Sequence, residues 1–439
     1  MYKPPVNRMD THQAYAAAHP ERFAATDSCV QCGLCLPHCP TYLQTRQEGD
    51  SPRGRVSLIQ ALARGDLPAD ARLTEHLESC LVCRACEDMC PSRVPYASLL
   101  DAARAELLDR GARPPVRPLE SWLLRQFTHS RRFRYLMRVC LRAWRHGGPW
   151  RLSRFTGIDR LMGAGRLHSL LPPMQKTTLV ETDNPPNQDP DQSENAGEVQ
   201  LFTGCASEVF DQETLISARQ VLTRLGYRVH IPVAQTCCGA LHLHAGDEAG
   251  AQTLARENQA AFRTDLPILS TASGCGATLK DSTAWCGEDS REMANATEDI
   301  CAFLQRADWS RASLLPTTLR VAVHTPCSLK RVMHSDDAVT QTLARLPGIE
   351  LLEVAHNGRC CGAAGRYMID HPEMADALVA DKVADLAKMA PDILVSSNVG
   401  CALHIRAALQ RAGLSIEVVH PVNLIARRLA PLAASRPVA

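Results

Sequence analysis

The chain has 439 residues, 45% apolar and 22% charged, and its 48 basic and 47 acidic side chains leave a formal net charge of +1. That length suggests about two to four domains with cores of their own, and the balanced charge gives no global attraction to nucleic acid. No stretch approaches the roughly eighteen consecutive apolar residues of a spanning helix. Met1–Asp10 lacks an apolar secretory core, so a cytoplasmic protein with reduced cysteines is expected.

Eight of the nineteen cysteines form two runs of one spacing, Cys29-x2-Cys32-x2-Cys35-x3-Cys39-Pro40 and Cys80-x2-Cys83-x2-Cys86-x3-Cys90-Pro91. A cubane cluster needs four convergent thiolates; three cysteines at this spacing wrap one corner, and the fourth comes from the other run. Cys29, Cys32, Cys35 and Cys90 would then hold one [4Fe–4S] cluster, and Cys80, Cys83, Cys86 and Cys39 a second. Each following proline is expected to stop the local helix and turn its cysteine towards the neighbouring cluster. Zinc sites usually repeat a simple Cys-x2-Cys pair, and disulfides do not suit a reduced compartment.

Between the runs, Pro52–Ala63 and Asp70–Leu77 carry apolar residues at helical spacing. Residues 20–110 therefore resemble the α-helical two-cluster ferredoxin module of fumarate reductase and succinate dehydrogenase iron–sulfur subunits. A basic helical connector over 111–171 is expected next. Between Arg113 and Arg166 lie thirteen arginines, no lysine and two acids, Glu120 and Asp159, interleaved with Trp122, Phe127, Phe133, Tyr135, Leu136 and Trp144. Such a segment is either a helical pair with a solvated basic face or a surface for anionic lipid or an acidic partner. Residues 172–198, crowded with Pro, Asn, Asp, Gln and Glu, have the composition of a flexible linker.

The remainder repeats itself. Val199–Cys205 matches Arg320–Cys327, Thr236-Cys-Cys-Gly-Ala240 matches Arg359-Cys-Cys-Gly-Ala363, and Ile268–Gly276 matches Ile393–Cys401, in the same order. Two duplicated α/β units over 199–310 and 319–430 follow, each with a mainly parallel sheet and its cysteines where apolar strands end. At such a carboxyl edge Cys205, Cys237, Cys238 and Cys275 would converge in one unit, and Cys327, Cys360, Cys361 and Cys401 in the other.

Paired Cys-Cys-Gly units of this kind resemble the cysteine-rich domains of heterodisulfide reductase catalytic subunits, of a glycerol-3-phosphate dehydrogenase subunit and of the glycolate oxidase iron–sulfur subunit. The order of parts, with Asp50–Ile59, Gln235–Ala240, Thr271–Gly276 and Asn398–His404, is most similar to the glycolate oxidase family. The resemblance implies a multidomain chain: an α-helical ferredoxin-like module followed by two cysteine-rich units. It implies an electron-transfer subunit that takes electrons from FAD on partner subunits oxidising glycolate to glyoxylate. Those electrons pass towards membrane quinone, with peripheral contact at the inner membrane. The alternatives are the equivalent subunit of a D-lactate or glycerol-3-phosphate dehydrogenase, or a thiol–disulfide reductase. Without a G-x-G-x-x-G after a strand or a Walker loop, the chain has no sequence basis for a dinucleotide site or nucleotide hydrolysis.

The units depart from the heterodisulfide reductase pattern where its final Gly-Cys is followed by another cysteine, since Thr278 and His404 stand there instead. Four thiolates can still hold a cluster, with His404 as a candidate helper in the second unit or as a packing histidine; zinc is the other option. Cys140, Cys286 and Cys301 match no motif. His242, His244 and His324 lie beside the proposed sites, as hydrogen-bonding groups or structural ones, and Arg359 and Arg366 are candidates to raise a cluster potential.

Overall fold

The computed structural model describes residues 19–113, 118–146, 169–171 and 196–431. Most of the expected linker and the end of the basic segment, 147–168, lie outside the described residues.

The N-terminal module is helical. Its longer helices span Pro52–Arg64, Ala71–Glu78 and Tyr96–Asp109, preceded by a 3-10 helix at Pro20–Ser28. Ser51 caps the first by accepting from the Gly54 amide, with Pro52 at the opening position. Val56, Ile59, Leu62 and Ala63 then recur every three or four residues on one face. They meet Leu73, Leu77, Leu99, Leu100 and Leu107 in one core, where each fully buried Leu contributes about 1.5–3 kcal/mol of transfer energy. The cysteine-bearing loops cover one end of it, with Cys29, Cys80, Cys86 and Cys90 packed against it. Pro40 departs from expectation. It follows the 3-10 turn Leu36–His38 and then opens the helix Pro40–Thr45, because a proline without an N–H fits a first helical position.

Two sheets follow. Strands β1 (Gly197–Phe202), β2 (Tyr227–His230), β3 (Ile268–Ser270) and β4 (Thr297–Asp299) form the first, in order β2-β1-β3-β4. Strands β5 (Arg320–His324), β6 (Glu350–Glu353), β7 (Ile393–Ser396) and β8 (Glu417–Val419) form the second, in order β6-β5-β7-β8. Every pairing is parallel, as crossover helices between successive strands require.

The repeated sequence becomes a pseudo-twofold pair. Helix Gln212–Arg224 of the first unit packs on Pro421–Arg427 of the second, and Ile300–Arg306 of the first packs on Asp336–Leu343 of the second. One apolar core runs through both units, from Val199, Leu215 and Val221 to Val339, Leu343 and Ile425. Neither sheet covers that face alone. Cys301 is part of this core, a small apolar filler.

The basic segment forms helices Pro118–His129 and Arg131–His146, and their basic face is solvated only in part, with Arg125 and Arg132 exposed. Arg134 is buried and ion-paired with Glu208, Arg131 lies 3.6 Å from the same carboxylate, and Arg138 is buried with its guanidinium over the Tyr135 ring. Leu119, Trp122, Leu123, Tyr135, Leu136, Val139 and Trp144 face solvent instead. Arg134 turns inward because Glu208 and the carbonyls of Phe127 and Thr128 supply buried acceptors.

Candidate iron–sulfur centres

The two cysteine runs fold into loops of the same backbone shape. Gln31 and Val82, two residues after each first cysteine, have φ of 56° and 50°, and Gly33 and Arg84, two further on, have 81° and 60°. These left-handed residues curl each loop so that its thiols converge on one side. Val82 is β-branched, for which this conformation is strained and is sustained only by its surroundings. Cys39, Cys80, Cys83 and Cys86 line one cavity together with Arg55 and Tyr96. The thiol from the first run thus stands with three from the second. Cys90 lines a separate groove with Leu34 and His38 of the first loop. The four thiols of the first cavity suit a cubane cluster; in the other loop Cys35 has Cys29 and Cys32 as neighbours, while Cys90 stands in a groove that none of these three lines.

Charge around the cavity is supplied by Arg55, which is fully buried. Its Nε donates to the His76 carbonyl at 2.7 Å, Nη1 to Thr41 Oγ1 at 3.1 Å and Nη2 to Ser79 Oγ at 2.8 Å, with Asp50 at 3.8 Å. Thr41 Oγ1 is itself 3.3 Å from Cys39 Sγ, and Ser79 precedes Cys80. Tyr96 Oη donates to Cys80 Sγ at 3.5 Å. Neither Arg55 nor Tyr96 was singled out from sequence, although Arg55 lies within the Asp50–Ile59 segment.

In the first cysteine-rich unit Cys205 starts the helix after β1, Cys237 and Cys238 occupy the loop after β2, and Cys275 lies in the first turn after β3. Cys205 Sγ and Cys237 Sγ are 3.2 Å apart, and Cys238 bridges Cys237 and Cys275. The second unit repeats the chain of contacts, Cys327 to Cys360, Cys360 to Cys361, and Cys361 to Cys401. The glycine after each cysteine pair has a backbone reason. Gly239 (φ 92°) and Gly362 (φ 87°) are left-handed, and a Cβ would stand 3.3 Å from the Ala251 carbonyl oxygen and 2.8 Å from that of Ala375.

The two thiol sets have different roofs. Over the first, the Thr128 carbonyl accepts from the Cys237 amide at 3.2 Å, and Phe127 packs among Phe202, Cys205, Cys237 and Cys238. Over the second sits the ferredoxin loop, with Leu81 in the core that holds Cys360, Cys361 and Cys401, and Cys83 packed against it. Burial pushes the Cys83 thiol up, and the neighbouring Cys327 raises it further. Arg331, four residues after Cys327 on the same helix, closes this junction. Its Nε is 3.0 Å from Asp88 Oδ2, and it donates to the carbonyls of Cys83 at 3.3 Å and Gly358 at 2.6 Å. Tyr367 Oη adds a bond to the Ser79 carbonyl at 3.0 Å, and Arg84 is ion-paired with Asp281. Arg84, Arg331 and Tyr367 were missed in the sequence because their partners across this junction are more than 190 positions away.

The candidate histidines separate. His404 Nε2 donates to the Ala375 carbonyl at 3.0 Å, a packing role on the helix Val399–Arg411. His242 lies 2.7 Å from Asp247 and 3.0 Å from Thr128 Oγ1, and His244 3.1 Å from Asp101. His324, with Cys361 and Cys401, forms a buried group whose ligand atoms all lie within 4.8 Å of one another. Arg359 and Arg366 pair with acids, Asp381 and Glu120 respectively, near the surface.

Residues 25–94 match the 4Fe-4S dicluster domain family, and residues 199–280 and 321–406 each match the Cysteine-rich domain family. The chain is 31% identical over 416 residues to the probable glycolate oxidase iron–sulfur subunit of Bacillus subtilis, covering 91% of this chain and 93% of that one. It is 30% identical over 393 residues to the glycolate oxidase iron–sulfur subunit of Escherichia coli, covering 87% and 90%. One subunit of the fumarate reductase (CoM/CoB) of Methanothermobacter marburgensis matches at 25% over 90% of this chain and 71% of that one. With two-cluster loops, a duplicated cysteine-rich half and relatives at this level along nearly its whole length, the chain belongs to the family of glycolate oxidase iron–sulfur subunits.

Proposed function

We propose that this chain is the electron relay of a flavin-dependent complex that oxidises glycolate to glyoxylate and passes the electrons to membrane quinone. Cys29, Cys32, Cys35 and Cys90 hold one [4Fe–4S] cluster, and Cys39, Cys80, Cys83 and Cys86 the second. The cysteine-rich sets, Cys205/Cys237/Cys238/Cys275 and Cys327/Cys360/Cys361/Cys401, hold further metal centres. The clusters supply one-electron chemistry when bound, and the protein positions and tunes them.

The observation that carries the direction of transfer is the junction at Cys83. The second ferredoxin loop packs on the thiol core of the second cysteine-rich unit, bolted by Arg331 and Tyr367. The first loop is the freer end, with Cys32, Val30 and Leu34 exposed, a landing site for the flavin subunit. Exit is favoured at the first cysteine-rich unit. Its roof is the helix pair whose outer face carries Leu119, Trp122, Leu123, Tyr135, Leu136, Val139 and Trp144, with Arg125 and Arg132 beside them. Aromatic and apolar groups with neighbouring arginines are the chemistry of a membrane interface, and among the described residues no helix is long and apolar enough to cross one.

To test this, the tagged chain is purified from its host without oxygen and examined for bound flavin and for dye reduction by glycolate, D-lactate and glycerol 3-phosphate. Flavin with a glycolate preference is expected. A flavin-free preparation inert to all three substrates overturns the reading in favour of the thiol–disulfide reductase. Flotation on anionic vesicles tests the exit face; W122S/L136S should weaken binding, and unchanged flotation refutes the membrane contact.

A further inference from the structure

The pseudo-twofold repeat provides its own control for each position. Phe202 ends β1 opposite Ser270 of β3, and His324 ends β5 opposite Ser396 of β7. The first unit therefore places a phenyl ring where the second places an imidazole. Phe202 packs with Phe262 and the thiol carbons around Cys205, Cys237 and Cys238. His324 instead stands with Cys361 and Cys401, the three ligand atoms within 4.8 Å, all buried. Its Nδ1 is 3.0 Å from Ser396 Oγ, across one parallel strand pair. That bond fixes the ring and leaves Nε2 as the nitrogen for a metal, the arrangement by which ligating histidines are held through their other nitrogen.

We propose that His324 is a ligand of the metal centre in the second cysteine-rich unit, which is a mixed thiolate–imidazole site, whereas the first unit is thiolate only. The inference rests on the reading that the second unit holds a cluster and adds which side chain differentiates it. With the neutral imidazole taking the place of one of the four thiolates on the metal, the mixed centre carries one negative charge fewer than the all-thiolate centre of the first unit and has the higher potential. The second unit is thereby the more ready electron acceptor, and it is the one against which Cys83 packs. His404, the other histidine weighed for this unit, bonds the Ala375 carbonyl through Nε2 and is not in that three-residue group.

The test uses the full chain, purified anaerobically from cells grown on 15N-histidine, with iron counted and the partly reduced protein examined by pulsed EPR. Expected are more than about eight irons per chain, and a strong imidazole nitrogen coupling that is lost in His324→Phe and kept in His404→Gln. His324→Cys guards against loss of the site in the Phe variant, because a thiolate should retain the iron while removing the nitrogen coupling. About eight irons would overturn both the cluster reading and this proposal. A fuller iron count with no strong nitrogen coupling, or one that survives in His324→Cys, overturns the role of His324 alone.

Discussion

Replacing Arg55 with methionine keeps the volume and removes every donor. Three charge-assisted hydrogen bonds, to the His76 carbonyl, Thr41 Oγ1 and Ser79 Oγ, disappear together with the positive partner of Asp50. Breaking a buried ion pair by removing one partner costs about 3–5 kcal/mol. The lower part of that range applies here. Asp50 keeps His76 at 2.8 Å, Thr41 Oγ1 can still donate to the Asp50 carbonyl, and Ser79 Oγ to the His76 carbonyl. A loss of about 3 kcal/mol is a large part of the total stability of a small domain. At roughly 4–8 °C per kcal/mol for a domain of this size, the module's melting midpoint should fall by on the order of 15 °C. Because Thr41 and Ser79 flank Cys39 and Cys80, the cluster held by Cys39, Cys80, Cys83 and Cys86 should be lost first, lowering the iron count by about four. Arg55→Lys, with one point charge, should fall between. Anaerobic calorimetry with iron analysis reads both effects. A methionine variant that melts within about 2 °C of the parent and keeps its iron would refute the reasoning.

Three further outcomes are expected. Burial of Asp299 pushes its carboxyl up to about 7, and Oδ1 accepts from the Cys301 amide that opens the following helix. A raised folded pKa gives stability that is complete below the unfolded value of about 4 and lost as pH rises through about 7. Asp299→Asn should therefore gain on the parent by about 2–4 kcal/mol between pH 4 and pH 8, and a pH-independent difference in denaturation midpoints would count against this. Gly362→Ala should be worse than Gly239→Ala, because its Cβ meets a backbone oxygen at 2.8 Å instead of 3.3 Å. Each also carries the left-handed penalty of about 1–2 kcal/mol, and equal midpoints for the two variants would contradict the geometry. Arg331→Ala should leave the iron content intact but slow internal electron transfer in stopped-flow reduction. A double-mutant cycle with Asp88→Ala should give a coupling of about 0.5–3 kcal/mol, and additivity would show that the junction does not depend on this pair.

The sequence by itself determined the parts and their chemistry. Cysteine spacing, the helical period of Pro52–Arg64 and the repeated Cys-Cys-Gly segments are local or periodic signals, and thiol spacing along a loop fixes what that loop can bind. Only the tertiary structure decided how the parts face each other. Thirteen arginines between Arg113 and Arg166 read as a basic surface, but Glu208, 74 residues beyond Arg134, pairs with that side chain in the interior, and Trp122 and Leu136 face solvent. His404 stands where a related pattern has a cysteine, a position open to a helper or a packing histidine; its place on the helix Val399–Arg411 sets its Nε2 against the Ala375 carbonyl. His324 reaches Cys361 and Cys401 because β5 and β7 are paired neighbours. Which ferredoxin loop meets which cysteine-rich unit depends on contacts such as Arg331 with Cys83, separated by 248 residues. Contacts at such separation leave no periodicity in the chain, because they depend on how the units pack on one another and not on the residues next to them in sequence.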